Sequence, residues 1–300
     1  MAEEGAISPL VMPKTPYDDL HLNFSPESQI ITEMMSNDET SPTITVDKIV
    51  ALTCTLAATS SERDLNQHAV NVSHTIIAIA TRVPHEKQSK LVEFCFRLQL
   101  HTIPDPINGG TLSPLGLGEG LWSEWPHLQR VADRHEWRDF YDLRKAGISQ
   151  IYENYSAWRA QLSELGFSFW KQESYLSNLH LTWPFGDRRL WIGRRDSVRL
   201  MCLWFIHAPN RLWFDAHLRR RNVFLKNRQF RRFFWPLWKE FLKVCLESEV
   251  NEDKGKWFDD RWDDTEGVSE QDLSDADTQE LIKRALESME KVEADHAIRS

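Results

Sequence analysis

Beyond residue 43, apolar positions recur at three- and four-residue spacing, the signature of helices with one buried face. Ile49, Leu52, Thr53 and Leu56 define the inward face of a helix over 46–59. Val70, Ile76, Ile77 and Ala80 define a second, which ends at Pro84 because the residue before a proline is pushed out of helical geometry. Leu91, Phe94, Cys95 and Leu98 define a third, amphipathic and stopped before Pro104. Ile148, Ile151, Tyr152, Tyr155, Trp158 and Leu162 predict a longer helix with Gly166 as its C-terminal cap. A further helix is expected around 169–180. The stretch "RDSVRLMCLWFIHA", residues 195–208, is apolar on nearly every side and so predicts a central helix.

The breaks between these runs are equally plain. Gly and Pro crowd residues 104–120, and "WPFGDRR" at 183–189 has the composition of a turn. Alternating, strand-like patterns of useful length are absent. The fold class is therefore all-α: a single multi-helix domain over 43–250. Residues 1–42, rich in Pro, Ser, Asp and Glu, are expected to form a disordered N-terminal arm. Residues 251–300 are expected to form an acidic tail ending in an amphipathic helix. Leu281, Ile282, Ala285, Met289 and Val292 make its stripe, with Ser274 or Asp277 as N-cap.

Charge sharpens this outline. The net charge of −9 divides into −10 over 1–187, +12 over 188–243 and −11 over 247–300. Most of the positive charge lies in "LRRRNVFLKNRQFRRFFWPLWKEF", residues 218–241, where basic and aromatic side chains interleave. On a helical ruler Phe230, Phe233, Phe234, Leu237, Phe241 and Val244/Cys245 form one apolar stripe, with Arg228, Arg231, Arg232, Lys239 and Lys243 off it. A core helix with a solvated basic face is the preferred reading. The alternative is a polyanion site, for nucleic acid or a phospholipid headgroup, formed by Arg219, Arg220, Arg221, Lys226, Arg228, Arg231 and Arg232. Nucleic acid is the less favoured partner because the whole chain is acidic and carries no recognised nucleic-acid motif. In the tail, Trp257, Phe258 and Trp262 stand among acidic residues, a composition found in short recognition segments. Docking of these aromatics back onto their own domain is the competing reading.

No motif names a reaction. The eleven histidines include no H-E-x-x-H and no pair at i, i+4, so no metal is expected. His207, on the apolar helix, reads as a core residue. Gly116, Gly118 and Gly120 fit neither the dinucleotide fingerprint nor a P-loop, and no cofactor is expected. Asp133, Glu136, Asp139 and Asp142 are interleaved with Arg130, Arg134 and Arg138, the pattern of a solvated ion-paired face. Cys54, Cys95, Cys202 and Cys245 are far apart in apolar surroundings and read as buried, reduced thiols. With no secretory leader pattern and no run of about 18 apolar residues, the chain is expected to be intracellular, cytoplasmic or nuclear. Its function is expected to be that of a non-catalytic interaction protein, an unknown protein being its partner and its oligomeric state open. Polyanion binding, or an enzyme without recognisable motifs, is the alternative.

Two segments carry a resemblance. "LMCLWFIHAPNRLW" (200–213), with Trp204, Phe205, Ile206 and His207, and "FFWPLWKEFLKVC" (233–245), with Trp235, Trp238 and Phe241, resemble the C-terminal half of an uncharacterised helical family of filamentous fungi. "IATRVPHEKQSKLVEF" (79–94) and "LWSEWPHLQRVADRHEW" (121–137) are similar to its N-terminal half. The likeness covers roughly 60–250, and departs from the family where Pro209-Asn210 replace its common glycine. It implies a helical domain of unknown function and no particular chemistry.

Overall fold

Three Ser residues set the first three helices. Ser25 accepts from the Ser28 amide at 3.1 Å and opens α1, Pro26–Ser36. Ser41 accepts from the Ile44 amide at 3.3 Å and opens α2, Pro42–Thr59. In both, a proline fills the first turn, where its missing N–H has no intrahelical role to lose. Ser61 and Asp64 form a reciprocal capping box that opens α3, Glu62–Arg82. A 3-10 turn, His85–Lys87, leads to α4, Ser89–Gln99. The computed structural model describes residues 25–104, 111–112, 148–166, 194–217, 234–247 and 276–298.

These residues are all-α apart from one antiparallel pairing of β1, Ile103–Pro104, with β2, Thr111–Leu112, inside the Gly/Pro-rich connection. The remaining helices are α5, Ile148–Glu164; α6, Arg194–His207; α7, Pro209–His217; α8, Phe234–Glu247; and α9, Ala276–Ala297. The chain divides into two compact units, Met1–Asn154 and Tyr155–Ser300.

In the first unit α1 packs on α3, α2 and α4, and α2 packs on α4 and α3. Ile31 and Met34 of α1, Val46 and Ile49 of α2, Val72 and Ile76 of α3, and Leu91, Phe94 and Leu98 of α4 are buried. The predicted faces of α2, α3 and α4 are borne out in their main contacts, although Leu52, Leu56 and Val70 are only half-buried. α3 stops at Arg82, two residues before Pro84, and its last carbonyls find side-chain donors. Gln88 Nε2 donates to the carbonyls of Ala80 and Val83 at 2.8 and 2.9 Å, and Asn154 Nδ2 donates to that of Thr81 at 3.0 Å. Gln88 and Asn154 are wholly buried, a position open to amides only when their polar atoms are satisfied.

Within the arm expected to be disordered, α1 is a correction. The arm as a whole is polar, but Ser28, Ile31 and Met34 fall on one face of α1 and are buried, while Lys90 of α4 donates to the carbonyls of Met34 and Asn37. Residues 1–24 lie outside the described residues.

In the second unit α6 is the central helix that its all-round apolar sequence predicts. Val198, Leu200, Met201, Cys202, Leu203, Trp204 and Phe205 are all buried. α9 packs chiefly on α6, then on α8 and α7. Its stripe Leu281, Ile282, Ala285, Met289 and Val292 is buried in agreement with the spacing, and the helix begins at Ala276, between the two expected caps. Gly166 closes α5 at φ 77°, the left-handed conformation that glycine adopts without strain. Helix α7 is an addition to the elements expected from the sequence. Pro209 occupies its first turn, and Glu164 receives the Asn210 side chain at 2.6 Å and the Arg211 amide at 3.0 Å.

The stripe expected on α8 is turned by about one residue, near 100° of helix. Trp235, Trp238, Leu242 and Cys245 are buried, whereas Leu237 is 40% exposed and Phe241 and Val244 are half-buried. The helix is apolar on two faces, and the face with two indoles removes more area from water. Cys54 is a second correction: it is exposed on α2, while Cys95, Cys202 and Cys245 are buried free thiols as expected.

Candidate functional site

Two clusters of chemistry-bearing side chains stand out, one in each unit. In the first unit Glu27 of α1, His68 of α3 and Thr53 of α2 form a buried chain. His68 Nδ1 lies 2.6 Å from Glu27 Oε1, and His68 Nε2 lies 2.8 Å from Thr53 Oγ1. Asn71 Nδ2 donates to Glu27 Oε2 at 3.3 Å. Burial alone would push the Glu27 carboxyl up, but hydrogen bonds from His68, its own backbone and Ser25, with the His68 charge, together hold it below the ordinary carboxylate range.

A hydroxyl, an imidazole and a carboxylate in series are the parts of a nucleophilic triad. Here the arrangement works against that role. Thr53 is 0% exposed, and its hydroxyl donates to the Ile49 carbonyl at 2.7 Å. A nucleophile must reach a substrate carbon and pass its proton to the base. This hydroxyl faces no solvent, and its proton points to a carbonyl. What the chain of groups does is fasten three helices together.

In the second unit the end of α9 meets α7 and α8 in a knot of aromatic rings. Trp213 is stacked between His217 at 3.7 Å and His296 at 5.3 Å, measured between ring centroids. Trp235 meets Trp213 edge-on at 5.0 Å and Phe205 at 5.5 Å, and Phe205 meets Trp238 at 5.5 Å. His217 Nδ1 lies 2.9 Å from the Trp213 carbonyl, and since a carbonyl only accepts, that nitrogen carries a hydrogen. Glu293 receives Trp235 Nε1 at 2.9 Å and Lys239 Nζ at 2.6 Å, and Glu290 stands 3.5 Å from the same ammonium. Burial would lower the Lys239 ammonium, but the hydrogen bond to Glu293 and the charges of Glu293 and Glu290 hold it above its ordinary range.

Glu293 and His296 sit three residues apart on one face of α9, so both reach the same ring cluster. Deeper in the unit, Trp204 Nε1 donates to Ser156 Oγ at 3.1 Å and Arg199 donates to Thr278 Oγ1 at 3.0 Å. Among the described residues no group of three or more His, Cys, Asp or Glu side chains is placed to hold a metal ion.

The residues singled out in the sequence as a polyanion site, Arg219, Arg220, Arg221, Lys226, Arg228, Arg231 and Arg232, lie outside the described residues. So do Trp257, Phe258 and Trp262, and Asp133, Glu136, Asp139 and Asp142. Lys239, placed by periodicity on the solvated face, is instead mostly covered and paired with α9. Neither cluster is visible in the sequence. Glu27 and His68 are 41 residues apart and Lys239 and Glu293 are 54 apart, with no motif joining them.

The fold and these clusters define a helical domain with no recognisable catalytic signature among the described residues. The family model for the protein of unknown function DUF3632 matches residues 74–262, so the chain belongs to that family. The matched span begins inside α3 and ends beyond α8; α1, α2 and α9 fall outside it. No curated protein and no solved structure matches the chain. Among the described residues no helix is long and apolar enough to cross a membrane.

Proposed function

We propose that the chain is a non-catalytic helical interaction protein, acting inside the cell on a protein partner. The observation that carries this reading is the closure of the triad-like constellation: the Thr53 hydroxyl is buried and committed to a backbone carbonyl, and His68 and Glu27 are used to hold α1. The second cluster supports the same view, because Glu293 and Lys239 are occupied in joining α9 to α8.

A second reading, polyanion binding, rests on the net +12 of residues 188–243 and on the basic side chains between Arg219 and Arg232. Affinity capture of the intact chain separates the two. The preferred reading expects specific proteins that stay bound in about 0.5 M salt, where the screening length falls to a few ångströms. Nucleic acid or acidic lipid, released by that salt, would favour the second reading. Recovery of neither would count against both.

A further inference from the structure

The buried chain on α1, α2 and α3 fixes where its hydrogens are. Thr53 Oγ1 lies 2.7 Å from the Ile49 carbonyl oxygen and 2.8 Å from His68 Nε2. A hydroxyl has one hydrogen, and a carbonyl has none. The short contact to Ile49 therefore takes the Thr53 hydrogen, and the contact to His68 needs a hydrogen on Nε2. On the other side of the ring, Nδ1 lies 2.6 Å from a carboxylate oxygen, a separation that also requires a hydrogen between them. Counted together, the three contacts need three hydrogens, one more than the Thr53 hydroxyl, a neutral imidazole and a carboxylate bring.

We propose that the folded chain keeps this extra proton between Glu27 and His68, with both ring nitrogens protonated, so that docking of α1 is a proton-binding step. The carboxyl of Glu27, held below its ordinary range, is the charge that retains it. Each helix packed on α1 presents its own groups. α3 presents His68 and Asn71, the latter donating to Glu27. α2 presents Thr53, and further along Lys48, which is occupied by Glu33 at 2.9 Å. α4 presents Lys90, which is occupied by two α1-end carbonyls and Asp38.

The consequence is a latch. An unfolded histidine is largely neutral above about pH 6.5, so opening of α1 at higher pH releases a proton and is favoured by each rise in pH. Within that range the ratio of open to closed α1 grows by up to about tenfold per pH unit for a single linked proton. Below it α1 stays closed until acid reaches Glu27.

Nitrogen-15 NMR of the His68 ring in the intact chain, at about pH 8 where a free histidine is neutral, tests the assignment directly. Protons on both ring nitrogens are expected; a bare ring nitrogen would overturn the proposal. Amide exchange of residues 27–36, corrected for intrinsic base catalysis, tests the latch. Opening should increase with pH in the wild type, and the pH dependence should flatten in Glu27→Gln. An equally steep dependence in the variant would overturn the link to this pair. If Glu27→Gln does not fold, the wild-type ring spectrum still decides.

Discussion

Thr53 is a small residue on which much of the first unit's polar order depends. Replacing it with Val keeps the shape and removes the hydrogen-bond partner of His68 Nε2, leaving that buried ring nitrogen unmet. The cost expected is about 1–3 kcal/mol, read as a shift of the urea midpoint. Glu27 gives a pH test of its own. Its folded carboxyl lies below the ordinary value of 4.5, so on the acid side the stability gained from its ionisation is lost as pH falls from that value through the folded one. The stability gap between the native chain and Glu27→Gln should therefore narrow on acidification below about pH 4.5, and a gap constant with pH would contradict the pair. In the second unit Trp204 is buried and donates to Ser156, and Trp204→Ala should cost about 3–5 kcal/mol in the same measurement.

At the scale of elements, α8 offers the sharpest contrast. Trp238→Ala should cost about 3–5 kcal/mol, whereas Leu237→Ser, on the half-open face, should stay within about 0.5 kcal/mol. The reverse order would restore the stripe that periodicity suggests. That stripe misleads because α8 is apolar on two sides, and a pattern of spacing cannot rank two faces. The helices α2, α3, α4, α5, α6 and α9 are legible because each has one apolar face, or for α6 no polar one, together with clear stops such as Pro84 and Gly166. α1 is hidden by the Pro-, Ser- and acid-rich sequence around it: its eleven residues carry one short apolar face, Ile31 and Met34, and the Glu27–His68 contact beside that face is set by tertiary structure. α7 is hidden because nine residues give too little periodicity to register. The two clusters are illegible because each joins side chains from separate helices.

Across the whole molecule, the alternation of acidic, basic and acidic segments invites a picture of a loose tail resting on a positive surface. The structure places the tail's helix differently. Leu281, Ile282, Ala285, Met289 and Val292 of α9 are buried against helices of the basic segment, and the Lys239–Glu293 pair sits at their edge. Ion pairs at the surface contribute about 0–1 kcal/mol each and fade in salt, while buried apolar area is not screened. α9 is thus part of the second unit's core, although it lies outside the span matched by the family model. Cutting the chain near Val250 should accordingly destabilise that unit rather than merely uncover it, seen as lost cooperativity in its thermal transition.

The central claim, that apolar burial and not charge holds the C-terminal helix in place, is tested most directly by amide exchange at Leu281–Val292 of the intact chain in low salt and in about 1 M sodium chloride, where the screening length is near 3 Å. Protection that is essentially unchanged between the two conditions is the predicted result; loss of that protection in high salt, with α6 still protected, would contradict it.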